Sequence, residues 1–288
     1  NTIAFPGLGI GPFNVSEYFT VFGMKIHWYG VIIAAGILLA FLFVSREAKK
    51  KEISQDTILD IVIFGLPAAI ICARIYYVIF EWDQYKDNFL SVFKIWEGGI
   101  AIYGGIIGAC LSTVIYCHVK KIPFTQIFDL GAFGLLIGQT VGRWGNFINA
   151  EAYGGETMMP WRMELVDLGI MVHPTFLYES LWNLGVFLVL LWYRKHQKFD
   201  GEIFLAYLAG YGLGRFWIEG LRTDSLYLFG TGIRVSQLLA LLCVLGAGTA
   251  LAVIRLRKKP DPARLYVNRK AAEAAEAERS ASSDESSQ

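Results

Sequence analysis

Seven stretches of apolar residues, at 27–45, 57–80, 99–118, 125–143, 174–193, 202–219 and 236–256, alternate with short polar connections. About 20 apolar residues cross a bilayer core as helix, so each stretch predicts a span. The connections after the first, third, fifth and seventh hold Arg46, Lys49, Lys50 and Lys51, then Lys120 and Lys121, then Arg194, Lys195 and Lys198, then Arg255, Arg257, Lys258 and Lys259. The opposite loops are poorer in cations. The bias predicts an all-α polytopic membrane protein with seven transmembrane helices, its N-terminus outside and its C-terminus cytoplasmic.

Between the spans, the longest connection covers 144–173 and is rich in Gly, Trp and Met, which predicts a small extracytoplasmic cap. Residues 1–26 read as an outer interfacial arm. They lack a basic start, and Pro6, Gly7, Gly9, Gly11 and Pro12 interrupt any apolar run, unlike a signal peptide. The membrane domain is expected over 27–259. The tail, 260–288, is rich in Ala, Glu and Ser, buries no core, and is expected to be a disordered cytoplasmic extension.

Composition agrees with this pattern: 55% of the 288 residues are hydrophobic and 18% charged, with a mean hydropathy of +0.44. A formal net charge of +1 spread over the chain leaves no basic stripe for nucleic acid. Cys72, Cys110, Cys117 and Cys243 lie in apolar runs without C-x-x-C spacing, and His27, His118, His173 and His196 are scattered, so no metal site is expected. Glycines spaced four apart, at Gly104 and Gly108, at Gly134, Gly138 and Gly142, and at Gly210 and Gly214, predict close helix packing. Gly98, Gly99, Gly104 and Gly105 are also compatible with a broken helix lining a cavity.

Charges inside the spans need a reason, because each costs about 2.5–3.5 kcal/mol at mid-bilayer on insertion scales. Asp60, Arg74, Asp129, Arg143, Glu179, Arg215 and Glu219 fall within or at the ends of spans. Asp60 and Asp129 lie at cytoplasmic ends and read as structural. Tyr211, Arg215, Glu219 and Arg222, spaced four, four and three apart, form one polar stripe. An internal Arg215–Glu219 pair that pins packing is one reading. The other is anion recognition, since two arginines with one acid leave positive charge in surplus and guanidinium forks suit phosphate.

The fourth span ends in Gly142-Arg143-Trp144-Gly145-Asn146-Phe147-Ile148-Asn149-Ala150-Glu151-Ala152-Tyr153-Gly154. This string resembles the G-R-x-G-N-F-I-N-x-E-x-x-G signature of the prolipoprotein diacylglyceryl transferases. His27-Trp28-Tyr29-Gly30, His173-Pro174-Thr175-Phe176-Leu177-Tyr178-Glu179 and Arg215 through Glu219 to Arg222 resemble the same family in the same order. The resemblance implies transfer of the sn-1,2-diacylglyceryl group from phosphatidylglycerol to the lipobox cysteine thiol of a preprolipoprotein. A thioether forms and glycerol phosphate is released. It implies no cofactor, and a bacterial inner-membrane enzyme with its site facing the outer leaflet.

On that resemblance, Arg143 and Arg215 are expected to clamp phosphate and Glu219 to orient Arg215. Asn146, Glu151 and Gly154 would shape the headgroup pocket, with Arg222 completing the lipid site and Tyr29 closing it. Glu151 and Glu219 are candidate bases if burial raises their pKa. Proteobacterial members carry histidine where this chain has Tyr103, so Tyr103 is expected to donate a hydrogen bond in the lipid site. Unperturbed tyrosine, with a pKa near 10, is a poor base. Two other classes fit the charges in part. A lipid or anion transporter would need a route on both faces, whereas the ionisable groups gather toward one. A non-catalytic scaffold would not need the stripe.

Overall fold

The computed structural model describes residues 1–86, 88–228 and 231–285. It comprises two compact units, one of Asn1–Val44 with Asp129–Gln288 and one of Ser45–Phe128. Helices α1 (Trp28–Lys50) and α4 (Phe124–Ile148) run through the boundaries.

The smaller unit is an antiparallel hairpin of α2 (Gln55–Phe80) and α3 (Ile102–Lys120). Ser54 caps α2 by accepting from Thr57 N at 3.1 Å, satisfying a donor the helix start leaves free. A Cβ at Gly108 would stand 2.5 Å from Ala68 O, so glycine is what lets the two helices close. Gly98 and Gly99 lie outside α3 at φ of +90° and +73°, a loop conformation rather than a broken helix. Arg74, buried in α2, holds that loop. Its Nε donates to Val92 O at 2.8 Å, Nη1 to Gly98 O and Gly99 O at 2.7 and 2.8 Å, and Nη2 to Ser91 O at 2.7 Å. Tyr116 OH donates to Asp60 at 2.7 Å, consistent with the structural reading of that carboxylate.

The larger unit packs α4 with α5 (Thr175–Tyr193), α6 (Glu202–Glu219) and α7 (Val235–Val253). Phe133, Leu136, Leu190, Ile203 and Tyr207 form its buried centre. At one end Asp129, 0% exposed, caps α6: Oδ1 accepts from Phe204 N at 2.8 Å and Oδ2 from Gly201 N at 2.8 Å. The expected structural role of Asp129 thus takes the form of a helix cap.

Among the described residues six helices are long and apolar enough to cross a bilayer: Trp28–Lys50, Gln55–Phe80, Ile102–Lys120, Phe124–Ile148, Thr175–His196 and Val235–Lys258. Their exposed Leu38, Leu42, Leu188, Leu242 and Leu245 suit lipid rather than water. The chain is a multi-pass membrane protein. The sixth predicted span, 202–219, coincides with α6, whose Glu202, Arg215 and Glu219 set it apart from the other six.

The expectation of an all-α chain needs one correction. At the opposite end of the larger unit, β1 (Thr2–Phe5), β2 (Ile10–Asn14), β5 (Met163–Leu165) and β6 (Ile170–Val172) form an antiparallel sheet in the order β2-β1-β5-β6. A hairpin of β3 (Tyr18–Val21) and β4 (Met24–His27) leads into α1. Residues 1–26 and the 144–173 loop are therefore one structure, joined by the register Ile3↔Leu165 and Ala4↔Glu164. Ile3, Met163, Leu165, Val172 and Phe176 are its core. The tail expected to be disordered is helical over α8 (Tyr266–Glu285), with its start held by Tyr266 N donating to Asp200 at 3.0 Å. Its Ala, Glu, Lys and Arg favour helix even without a buried face.

Candidate functional site

The polar stripe of α6 ends against the polar ends of α4 and α5, beneath the sheet. Arg215 Nη2 lies 2.6 Å from Glu219 Oε2, the pair its i,i+4 spacing predicts. Arg215 Nη1 donates to Glu179 Oε1 on α5 at 2.7 Å. Arg143 of α4 pairs with the other oxygen of Glu179. Arg222, past the end of α6, approaches Glu179 Oε1 at 3.5 Å and grips Asp224 at 2.9 and 2.7 Å through Nε and Nη2.

Glu179 and Glu219 are 3% and 2% exposed. Buried carboxylates persist only when paired, and the arginines supply the pairing, with one hydrogen bond from Arg215 Nη1 to Glu179 Oε1. Among the buried groups Arg143, Arg215 and Arg222 face Glu179 and Glu219, so the surplus of one positive charge expected from the stripe persists, offset only by Asp224, which is half exposed. The stripe alone showed two arginines and one acid; tertiary packing brings the rest. Outside the spans, hydrogen bonds from Arg222 hold the Asp224 carboxyl below its ordinary range.

From Arg143 the network continues outward. Arg143 Nη1 donates to Asn146 Oδ1 at 3.3 Å, and Asn146 Nδ2 donates to Glu151 Oε1 at 2.9 Å. Asn149 Nδ2 reaches the same oxygen at 3.4 Å. Asn146 is one turn from Arg143 on α4, and the chain turns back after Ile148 to bring the exposed Glu151 over it. Ala150 and Ala152 take φ of +50° and +57° in that turn.

Gly154 pairs with Arg222 as an isolated antiparallel bridge, and its N donates to His173 O at 3.0 Å. A Cβ there would stand 2.7 Å from His173 Cβ and 3.1 Å from Leu221 O, so only glycine lets these three segments meet. His173 Nδ1 is 3.2 Å from Tyr178 OH, and burial holds the imidazole below its ordinary pKa.

Of the residues singled out from the sequence, the structure brings Arg143, Asn146, Glu151, Arg215, Glu219 and Arg222 into one network, with Gly154 at its edge. Tyr29 packs its ring against Gly145, where a Cβ would be 2.7 Å from Tyr29 Cδ2. Tyr103 stands in the first turn of α3, in the smaller unit. Four residues at the site had no role assigned from the sequence. Glu179, the hub, sits in the same string as His173, among the charges already singled out inside spans. Asp224 lies two residues past Arg222. Arg234 donates to the backbone carbonyl of Glu219, and Gln237 Nε2 to Phe216 O at 3.0 Å, so the first turn of α7 caps the end of α6.

Residues 16–254 match the family described as prolipoprotein diacylglyceryl transferase. Proteins named phosphatidylglycerol-prolipoprotein diacylglyceryl transferase are similar over most of their length. That of Clostridioides difficile strain 630 is 46% identical over 241 residues, 84% of this chain and 95% of the relative. That of Lysinibacillus sphaericus is 45% identical over 260 residues, covering 86% and 94%, and that of Listeria welshimeri 47% over 248 residues, covering 82% and 88%.

Proposed function

The chain belongs to the prolipoprotein diacylglyceryl transferase family, and from that premise we propose that it moves the sn-1,2-diacylglyceryl group of phosphatidylglycerol onto a lipobox cysteine of a preprolipoprotein. The carrying observation is the buried network of Arg143, Glu179, Arg215, Glu219 and Arg222 at the end of α4, α5 and α6, continued by Asn146 and Glu151. A non-catalytic bundle has little use for five ionised groups in a span end. The protein sits in the bacterial inner membrane with α6 as the sixth of seven spans and the network toward the outer leaflet.

In the reaction the substrate's thiolate sulfur attacks the glycerol carbon that carries the phosphate ester. The C–S bond forms, the C–O bond breaks, and the electron pair leaves on glycerol phosphate. The nucleophile belongs to the lipoprotein, so the enzyme supplies position and charge. Arg143 and Arg215 hold the phosphate, sharing guanidinium donors between it and Glu179. The negative charge that develops as the phosphodiester becomes a monoester is met by guanidiniums already fixed in place by carboxylates, with no reorganisation at the moment of reaction. Glu219 orients Arg215, and Arg222 and Gly154 border the headgroup pocket. Tyr29 closes the pocket and Tyr103 donates a hydrogen bond to the lipid.

A thiol of pKa about 8.5 must lose its proton. Glu219 is buried but committed to Arg215, and Glu151 is exposed rather than buried, so Glu151 is assigned as the proton acceptor on its access to the thiol and not on burial. The test is incubation of the purified protein with phosphatidylglycerol labelled in its acyl chains and a lipobox peptide. Label on the peptide cysteine, with glycerol phosphate released in equal amount, is the expected result. Lipid movement without a thioether would replace the enzyme reading with transport.

A further inference from the structure

One turn deeper in the larger unit than the ion network lies a second polar layer. Gln139 stands four residues before Arg143 on α4, and Asn183 four residues after Glu179 on α5. Both steps lead away from the sheet by about one helical turn, roughly 5.4 Å. The helices are tied at this level: Ser180 Oγ donates to Thr140 O at 2.9 Å, and Gln139 Nε2 to Tyr207 OH at 2.9 Å. Yet among the described residues Asn183, 2% exposed, has no partner for Nδ2, and the atoms Thr140 Oγ1 and Gln139 Oε1 are likewise buried without one.

An unsatisfied amide in an apolar interior is costly, and an apolar residue of similar size would remove that cost. Leucine would serve α5 at position 183 if packing were the only demand. Asn183 Nδ2 and Thr140 Oγ1 are both able to donate, and a carbonyl oxygen with two lone pairs is their natural complement. Gln139 Oε1 is an acceptor and plays no part in holding a carbonyl. A phospholipid whose phosphate lies at the guanidiniums places its glycerol esters next below it.

We propose that Asn183, with Thr140, forms an ester-recognition site that binds a carbonyl of the diacylglyceryl group and sets how deep the lipid sits. This rests on the proposed phosphatidylglycerol substrate. It assigns a ligand class, carboxylic esters of glycerol, to a layer outside the ion network, and it makes Asn183 a specificity residue.

The experiment is competitive binding of diester phosphatidylglycerol against its dialkyl ether analogue of equal chain length, read by native mass spectrometry of the purified protein, alongside transfer to a lipobox peptide. The wild type is expected to favour the diester by about tenfold, the weight of one hydrogen bond. Asn183→Leu should bring the preference to within about twofold while keeping or raising the melting temperature, and the near-isosteric Thr140→Val should lower it in the same direction. Equal binding of both lipids by the wild type overturns the site, as does an intact preference in Asn183→Leu. A loss of both lipids together in the variants also overturns it and assigns the layer to a buried water instead. A wild type that discriminates but transfers nothing leaves the ester site standing and removes the proposed activity. One that transfers without discriminating does the reverse.

Discussion

Glu179 Oε1 accepts from Arg215 Nη1 at 2.7 Å, and the same carboxylate pairs with Arg143, so one side chain of α5 ties α4 to α6. Glu179→Gln keeps the shape but leaves two guanidiniums without that counter-charge. The expected result is a loss of about 1–3 kcal/mol of stability and a fall in transfer of roughly a hundredfold, the scale expected when positioning is lost. Melting temperature and initial rate, measured on the same preparation, decide this. Full activity in a folded variant would remove Glu179 from the arrangement.

Arg143 uses one fork for two partners, Nη1 for Asn146 and Nη2 for Glu179. A lysine keeps the charge and loses the fork. Arg143→Lys is expected to lower kcat/KM by at least about tenfold, and Arg143→Ala or Asn146→Ala to remove about a hundredfold or more, with normal insertion. A lysine variant within about twofold of wild type would mean that charge alone suffices.

How much of this was legible in the sequence depends on the distance over which a feature is encoded. Helices follow from the local apolar pattern: 57–80 was expected and Gln55–Phe80 is found, 202–219 and Glu202–Glu219. The Arg215–Glu219 pair is equally local. The sheet is not, because β1 and β5 are four and three residues long and lie some 160 positions apart, too short for a period and too far for a turn signal. Glu179 was visible as an intramembrane charge, but which helices it faces depends on rotation and packing that periodicity leaves open. Gly134, Gly138 and Gly142 share a spacing, and all three face α1: a Cβ at Gly134 would stand 3.2 Å from Val44, one at Gly142 3.4 Å from Ile33, and one at Gly36 3.8 Å from Gly138 Cα. Spacing proposed one face, and the structure sets that face against α1, with a glycine opposite a glycine at Gly138 and Gly36.

Topology is testable without activity. With single cysteines at 48, 156 and 265 in a background lacking the native four, an impermeant thiol reagent added outside should label 156 and spare 48 and 265. The reverse pattern would place the ion network toward the inner leaflet and remove the proposed site geometry.

Acid should destabilise the cap in two windows. Burial holds His173 below its ordinary pKa, so the unfolded chain takes the proton first. The stability this group contributes is complete above about 6.5 and is lost as pH falls through its lower folded value. Asp224 is also held low, by Arg222, so its contribution is complete above about 3.9 and is lost below that. Melting temperature against pH should show an early decline that His173→Gln removes and a later one that Asp224→Asn removes. A His173→Gln profile that still declines below about 6.5 and ahead of the Asp224 window would assign the early window elsewhere.

Tyr103 stands on the first turn of α3, at the position where proteobacterial relatives are expected to carry histidine. If its hydroxyl only donates a hydrogen bond to the lipid, Tyr103→Phe loses one neutral bond, about 0.5–1.5 kcal/mol, and the rate falls no more than about tenfold. If it transfers a proton, the loss should be about a hundredfold to ten-thousandfold, and the pH profile should change shape. The hydrogen-bond role is the expected one, because the 98–108 run around Tyr103 carries no charged side chain to activate its hydroxyl. Transfer rates of wild type and Tyr103→Phe, compared across about pH 6 to 9, should therefore give parallel profiles separated by a constant factor. Profiles that diverge with pH, or a loss beyond about a hundredfold at wild-type levels of protein and bound lipid, would make Tyr103 an acid or base and displace Glu151 from that task.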